Sequence, residues 1–276
     1  MKRHAKNADS SFLKLCYGDD YGNVLGGPEC ISFASDRNDS SRKRVLRVIA
    51  VLLLLVNVTM CLYRFPLWAL AVFFTNWNME VTMVLAISVL WSSFDPKVDQ
   101  NKKWLAFVHM TAEIAVLFNS ITVLVYWSVL HKQALKKFEG DDNKIAHMYL
   151  VHLFPFISVL LILATTDLQL STGHWKGFAP IAVVYAAVNC YATLSSGKPL
   201  YPFLTWQDYK SPLICAGMAV FFFGFYIVLA KLTIWMNQRN KVSKGKSTRK
   251  VPVTSGRNKS PRKRSPTKKS KVNKLE

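Results

Sequence analysis

A threonine and a histidine are the residues of this chain best suited to covalent chemistry. Thr75 begins the sequence TNWN at the head of one apolar segment, and His152 lies three residues before Pro155 in another. A hydroxyl becomes a good nucleophile only when a base within hydrogen-bond reach takes its proton, and imidazole is the commonest such base. The pair therefore predicts nucleophilic catalysis if the fold brings the two side chains together.

Each of these residues also has a purely structural interpretation. Thr75 could be the N-cap of a helix, because a threonine side chain accepts hydrogen bonds from the first amides of a helix. His152 could instead form a hydrogen bond to a neighbouring helix. Pro155 removes one helical hydrogen bond and predicts a kink, whether or not a site lies nearby. Sequence alone leaves both interpretations open.

Polar and aromatic residues near the two candidates could support the same chemistry. Donors near a nucleophile can stabilise an oxyanion, and a mobile aromatic loop can close over a substrate. The possible oxyanion or polar support consists of Asn76, Asn78 and Glu80. The possible substrate pocket and lid consist of Trp77, Tyr201, Pro202, Phe203 and Trp206.

Nothing in the sequence spacing indicates a metal site or a cofactor. The five cysteines form no Cys-x-x-Cys or Cys/His ligand pattern, and no glycine-rich phosphate loop occurs. His109 and Glu113 lie four residues apart on one predicted helical face and could pair. We therefore predict no metal and no cofactor. Carboxylates inside a membrane also occur in proton-coupled transporters, so transport stays an alternative for Glu80 and Glu113.

Six apolar segments must position these residues. A helix of about 20 residues crosses the ~30 Å hydrocarbon core, and only helices and closed barrels satisfy their own backbone in lipid. We predict an all-α, polytopic membrane protein, a bundle of six transmembrane helices with disordered tails. Pro66 predicts a break in the ambiguous segment 64–72. The predicted spans are 45–63, 73–93, 104–130, 147–165, 178–194 and 212–236.

The charge distribution predicts the orientation and the domains. The net charge of the chain is +20. Its lysines and arginines cluster before the first apolar segment and after the last. Basic residues flank cytosolic ends, so both termini are predicted to be cytosolic. The predicted domains are a polar cytosolic segment (1–44), the transmembrane domain (45–237) and a basic, disordered cytosolic tail (238–276).

The basic tail has a predicted partner and suggests a location. Segment 238–276 is rich in Lys, Ser and Pro and lacks aromatic residues, so it cannot bury a core. Such a segment binds the anionic headgroups of the cytoplasmic leaflet, and nucleic acid is not an expected partner. The expected location is the endomembrane system, with the endoplasmic reticulum first, or the plasma membrane.

The predicted topology places the two candidate residues at a similar depth. The second and fourth spans both run inward from the non-cytosolic face, with Thr75 in the first turn of one. His152 lies about five residues inside the other, or ~7 Å at the helical rise. The aromatic loop before the sixth span covers the same face of the membrane. The sequence thus predicts a nucleophile, a base and a lid on one side.

Four motifs in this order resemble the androgen-induced protein family, which includes the androgen-dependent regulator of tissue-factor-pathway inhibitor. They are TNWN, VYWSVLH (125–131), HLFPF (152–156) and YPFL (201–204), within a resemblance that covers 45–238. The rolling-stone-like membrane proteins share much of the pattern. The resemblance implies an intramembrane threonine hydrolase that cleaves fatty acid esters of hydroxy fatty acids, with Thr75 as nucleophile and His152 as the essential histidine.

His147 is a second candidate for that histidine. The two histidines are five residues apart, or about 140° around a helix, so they cannot both face Thr75. His152 is preferred because it lies within the span. The leading hypothesis is therefore a lipid-ester hydrolase whose partners are membrane lipids. The alternative is a non-catalytic membrane scaffold, signalling protein or transporter whose basic tail binds anionic lipid.

Overall fold

All the regular secondary structure in the described part of the chain is helical. The structure, a computed structural model, describes residues 40–94, 101–166 and 168–247. The all-α prediction is confirmed for these residues. The elements are α1 (Ser40–Arg64), α2 (Leu67–Val72), α3 (Phe74–Ser92), α4 (Lys102–Val125), a π-helical turn (Tyr126–Leu130), α5 (His131–Lys137), α6 (Asp142–Thr165), α7 (Trp175–Ser196) and α8 (Lys210–Ser247).

Five helical segments are long and apolar enough to cross a membrane, so the chain is a helical membrane protein. They correspond to the predicted first, third, fourth, fifth and sixth spans. The helix at the predicted second span, α3, has 19 residues and is not one of these five segments. The five segments are Ser41–Arg64, Lys103–Lys137, Asp142–Thr165, Trp175–Ser196 and Lys210–Trp235.

Several predicted boundaries differ from those of the structure. The predicted loop after the third span contains α5, and α8 continues to Ser247. Residues 238–247, predicted to be disordered, are therefore helical, since Gln, Arg and Lys are good helix formers. The rest of the predicted tail and residues 1–39 lie outside the described residues. The chain divides into two units between residues 237 and 238.

Local sequence explains where several helices begin and end. Pro66 is extended (φ −65°, ψ 153°) and separates α1 from α2, as predicted. Asn101 caps α4 by accepting bonds from two backbone amides. Asp141 caps α6 by accepting a bond from the Lys144 amide, and its bonds to Lys144 lower the pKa of the Asp141 carboxyl. Gly197 ends α7 at φ 65°, a conformation that glycine adopts without strain.

Four helices form the core of the bundle, and two lie at its side. α1 and α4 each pack against both α3 and α6, and α3 also contacts α6. In contrast, only 17% of the apolar stretch of α7 is buried, and the same share of α8, compared with 44% for α4. The exposed residues of α7 and α8 are mainly apolar, as expected for side chains that face lipid. The seam between this core and α7–α8 holds the candidate site.

A buried polar network joins α3 to α4. The Asn78 amide donates to Asn119 Oδ1 at 2.9 Å, and the Asn119 amide donates to Thr82 Oγ1 at 2.8 Å. Thr82 in turn donates to the Asn78 carbonyl at 2.7 Å. All three residues are 0% exposed. The polar residues of α3 are thus satisfied by α4 rather than by water.

Replacing Asn119 with leucine should destabilise this contact. The Asn78 amide would lose its acceptor and the Thr82 hydroxyl its donor, so we expect the free energy of unfolding to fall by about 1–3 kcal/mol. Unfolding of the purified protein in detergent would measure the change. Ser120→Ala is the control, because the Ser120 hydroxyl bonds only within its own helix, to the Val116 carbonyl. Equal stabilities of the two variants would contradict the role of the network.

A buried arginine joins α1 to the carboxyl ends of α3 and α6, at the other end of α3 from Thr75. Arg47 of α1 is 3% exposed. Its guanidinium donates to the hydroxyl of Ser93, just after α3. It also donates to the Thr165 carbonyl at 2.6 Å, at the end of α6. The planar guanidinium offers several donors at once, which suits it to join three elements.

Candidate active site

One cavity of about 150 Å³ lies in the seam between the four-helix core and α7–α8. Its wall is built from α3, α4, α6, α7, α8 and the loop before α8. The lining is mostly aromatic and aliphatic, with a few polar side chains. The polar members are Thr75, Thr122, His152, Tyr185, Asn189 and Tyr201.

Thr75 and His152 both line this cavity. The chain leaves α2 at Phe73, which is extended, and α3 begins at the next residue. This restart puts Thr75 in the first turn of α3, facing the cavity. His152 is 5% exposed and lies on α6, inside the bundle. Two residues 77 positions apart in the sequence therefore share one apolar chamber.

Thr75 does not cap its helix. The N-cap is Phe73, whose side chain makes no capping bond. The Phe74 amide instead donates to the hydroxyls of Tyr185 and Tyr201, at 3.0 and 3.2 Å. Within the described residues the Thr75 hydroxyl has no hydrogen-bond partner. The capping interpretation of Thr75 is therefore wrong.

His152 is held in the tautomer that a general base needs. Its Nδ1 lies 2.6 Å from the Met148 carbonyl oxygen. A carbonyl can only accept, so Nδ1 carries the proton and Nε2 keeps its lone pair. The ring also stacks on Tyr126, with the centroids 3.8 Å apart and the planes 16° apart. Tyr126 opens the π-helical turn, an irregularity often found at functional sites.

His147 occupies a different environment. It is 2% exposed and packs against Phe65, with ring centroids 5.6 Å apart. It does not line the cavity. The structure thus separates the two histidines as the helical geometry predicted, and it brings His152 to the cavity that Thr75 lines.

A tryptophan fixes the orientation of a buried amide at the cavity wall. The Trp206 indole N–H donates to Asn189 Oδ1 at 2.7 Å. Because an indole nitrogen only donates, the atom facing it must be the amide oxygen, which leaves the Asn189 NH₂ group on the other side. That group has no hydrogen-bond partner among the described residues, although Asn189 is 0% exposed. An unpaired buried donor is costly and marks a place where a ligand oxygen could bind.

The backbone at Trp206 is strained. Its φ is 57°, which is unusual for a non-glycine residue. The Trp206 amide donates to the Ser211 hydroxyl at 2.8 Å, and this bond holds the turn. Such strain persists only where the surroundings enforce it, and it concentrates at functional sites.

Two tyrosines complete the polar side of the cavity. The Tyr185 and Tyr201 hydroxyls are 3.3 Å apart, and both accept from the Phe74 amide. Burial raises the pKa of Tyr201, so its hydroxyl stays protonated at neutral pH. A protonated phenol in the lining of the cavity that Thr75 also lines can donate to a negatively charged oxygen.

Several predicted support residues lie elsewhere. Asn76 and Trp77 donate to the Ala69 and Ala71 carbonyls, so they fasten α3 to α2. Asn78 belongs to the network with α4 and Glu80 is exposed. The set predicted to support an oxyanion is thus absent from the cavity lining, because the α3 helix turns these side chains onto other faces. Of the residues predicted to form the substrate pocket and lid, Tyr201 and Phe203 line the cavity. Trp77, Pro202 and Trp206 do not.

Sequence reasoning did not assign roles to Thr122, Tyr185 and Asn189. Asn189 was visible as the one strongly polar residue of the fifth predicted span, and its link to Trp206 was not. The described residues also bring together His109, Glu113 and His174 as possible metal ligands, away from this cavity. The sequence spacing indicated only that His109 and Glu113 of α4 could pair; it did not indicate that His174 would join them.

No known protein family, curated protein or solved structure matches this chain.

Proposed function

We propose that this protein is an intramembrane lipid-ester hydrolase. The observation that carries the proposal is that Thr75 and His152 line the same apolar cavity. The tautomer of His152 supports it. The Thr75 hydroxyl forms no hydrogen bond to His152 in this structure, so the two must approach within the cavity for proton transfer, as catalytic groups of ligand-free sites often do. The resemblance to the androgen-induced protein family suggests the same two residues.

In the proposed reaction Thr75 Oγ1 attacks the ester carbonyl carbon while His152 Nε2 takes its proton. The tetrahedral intermediate collapses, and the departing alkoxide takes that proton from His152 and leaves as an alcohol. A water molecule, deprotonated by His152, then attacks the acyl-threonine. The products are a carboxylic acid and free Thr75.

Asn189 and Tyr201 are the proposed donors to the oxyanion. The Asn189 NH₂ group is unpaired and is oriented by Trp206. The Tyr201 hydroxyl lies on the same polar side of the cavity. Preorganised donors in a water-poor site stabilise developing charge well, because they need no reorganisation when the charge forms.

The lining favours a fatty acyl substrate. Six phenylalanines line the cavity, and its volume of about 150 Å³ matches an engineered cavity that binds benzene. The chamber therefore admits an ester and the first carbons of its chain. Fatty acid esters of hydroxy fatty acids, or similar lipids, fit this description.

The proposal includes a sixth span and an orientation. α3 would be ~28 Å long at the helical rise, enough to cross the hydrocarbon core. Its polar network faces α4, while Val84, Ile87 and Trp91 are exposed for lipid. Six spans place both termini on one side. The basic flanks make that side cytosolic, in the endoplasmic reticulum, another endomembrane or the plasma membrane.

Covalent labelling tests the proposal directly. Full-length protein in lipid nanodiscs would be treated with a long-chain fluorophosphonate, and the modified residue would be located by mass spectrometry. We expect the adduct on Thr75, and slower labelling when an ester lipid is added. A folded protein that neither hydrolyses lipid esters nor reacts with the probe would favour the scaffold alternative.

Trp206→Phe should lower kcat by removing the hydrogen bond that orients Asn189. Loss of one oxyanion donor costs roughly 10²–10³-fold, so we expect that loss for Asn189→Leu and a part of it for Trp206→Phe. Adding Trp206→Phe to Asn189→Leu should cost little more, because the amide it orients is already gone. Trp104→Phe is the control, since that indole bonds the Ser92 hydroxyl at the other end of α3 and does not line the cavity. Independent, additive losses would contradict the coupling.

A further inference from the structure

Two imidazoles and one carboxylate meet inside the bundle, away from the Thr75 cavity. Glu113 Oε1 is 3.0 Å from His109 Nε2, and Glu113 Oε2 is 2.6 Å from His174 Nδ1. Glu113 is 0% exposed, and each histidine is 3% exposed. The Ser171 amide also donates to Oε1 at 2.8 Å and fixes the carboxylate. We call these three side chains the Glu113 cluster.

The donor atoms of the Glu113 cluster converge on one point. One ligand atom from each residue lies within 4.8 Å of the others. The two imidazole planes are nearly perpendicular, at 85°, so their edges approach the carboxylate from different directions. His109 Nε2 is close to Oε1 but is not aligned as a hydrogen bond, and His109 Nδ1 has no partner among the described residues. A hydrogen-bonded network alone leaves His109 poorly satisfied.

We propose that the Glu113 cluster binds a divalent transition-metal ion of the zinc class, with water as a fourth ligand. Zinc takes imidazole nitrogen and carboxylate oxygen at ~2.0–2.2 Å, which separates the donors by roughly 3.3 Å. The donor atoms of the Glu113 cluster, which lie within 4.8 Å of one another, reach that spacing with small side-chain shifts. Imidazole donors favour zinc and its neighbours over magnesium or calcium, which prefer oxygen alone.

Charge supports a cation at this point. An ionised Glu113 in the bundle interior needs a positive partner, and no lysine or arginine forms an ion pair with it among the described residues. A divalent ion held between Glu113 and the two imidazoles would supply that charge.

The ion would fasten α7 and α8 to the core. Glu113 lies on α4, His174 directly precedes α7, and Ser171 accepts from the Tyr226 hydroxyl of α8 at 2.9 Å. The cavity lining begins four residues further along α4 and α7, at Leu117 and Phe178. The metal therefore sits about one helical turn, ~6 Å, from the end of the chamber and sets the position of its outer wall. This inference does not depend on Thr75 chemistry.

Metal analysis of the full chain tests the inference. Protein purified without a histidine tag would be equilibrated with zinc, desalted and analysed by mass spectrometry for elements. We expect one zinc per chain and a thermal midpoint that rises with zinc concentration. Cobalt(II) in its place should give the absorption of a tetrahedral ion with nitrogen and oxygen ligands. Wild-type protein that holds no zinc and gives no such spectrum would overturn the proposal, whatever the variants do.

Variants identify the ligands. Glu113→Gln and His174→Ala should lose the zinc, whereas His147→Ala should keep it. His147 is a matched control because it is also a buried histidine of the bundle, packed against Phe65. Zinc retained at one equivalent in both Glu113→Gln and His174→Ala would place the ion elsewhere and overturn the assignment. A variant that does not fold is replaced by Glu113→Asp, which keeps the charge and should weaken zinc binding by moving the carboxylate.

Discussion

We expect Thr75→Ala to abolish ester hydrolysis and Thr75→Ser to retain it. The alanine has no oxygen to attack the substrate, so we expect kcat to fall by roughly 10⁴-fold or more. Serine keeps the hydroxyl in the first turn of α3 and should remain within about tenfold of the wild type, a difference of ~1.4 kcal/mol in the barrier. Steady-state hydrolysis of an ester lipid by protein in nanodiscs would measure both. Labelling by the fluorophosphonate should follow the same order.

Thr59→Ala is the matched control for this prediction. Thr59 lies on the exposed face of α1 and bonds only the Leu55 carbonyl, so its loss should leave kcat unchanged. The thermal midpoints of the three variants should agree with the wild type, because the Thr75 hydroxyl has no partner to lose. Full activity in Thr75→Ala would rule out the threonine mechanism, even if the protein proves to be a hydrolase by other means.

His152→Gln should be the second most damaging change. Glutamine can still donate to the Met148 carbonyl but cannot accept a proton in the reaction, so general-base catalysis is lost. The expected fall in kcat is about 10²–10⁴-fold, with KM little changed because the cavity keeps its shape. Measured kcat and KM would separate this outcome from a packing defect, which would alter both.

His147→Gln is the control for the second histidine. Its ring packs against Phe65 outside the cavity, so the substitution should affect stability rather than kcat. If His147→Gln were inactive and His152→Gln active, the base would have to be reassigned and the arrangement of the cavity reconsidered. If both were fully active, no histidine of α6 would take part in the reaction.

The helices follow from local sequence, and most of them were predictable for that reason. Long apolar segments form helices in lipid because nothing else satisfies their backbone. Pro66 and Asn101 act on their immediate neighbours, which a sequence displays directly. Pattern was less informative for α3, whose polar residues make sense only beside Asn119 of α4.

The candidate site was predictable only in part. Thr75 and His152 stand out in the sequence because a hydroxyl or an imidazole is costly inside a membrane. The partners that define their roles come from distant parts of the chain. Tyr185 and Tyr201, whose hydroxyls accept from the Phe74 amide, lie more than 110 positions from Phe74 in the sequence. Glu113 and His174 are 61 positions apart. Helical periodicity carries no information about which faces of different helices meet.

The cavity lies at the seam between the four-helix core and α7–α8, and little of the surface of α7 and α8 is buried in the protein. This position has a kinetic consequence. A substrate that reaches Thr75 between these helices arrives sideways from the leaflet and does not need to pass through water. The concentration that governs the rate is then the mole fraction of substrate among the lipids of the membrane, not its concentration in the whole solution. Diluting the substrate with inert phospholipid should slow turnover, whereas diluting the vesicles with buffer should not.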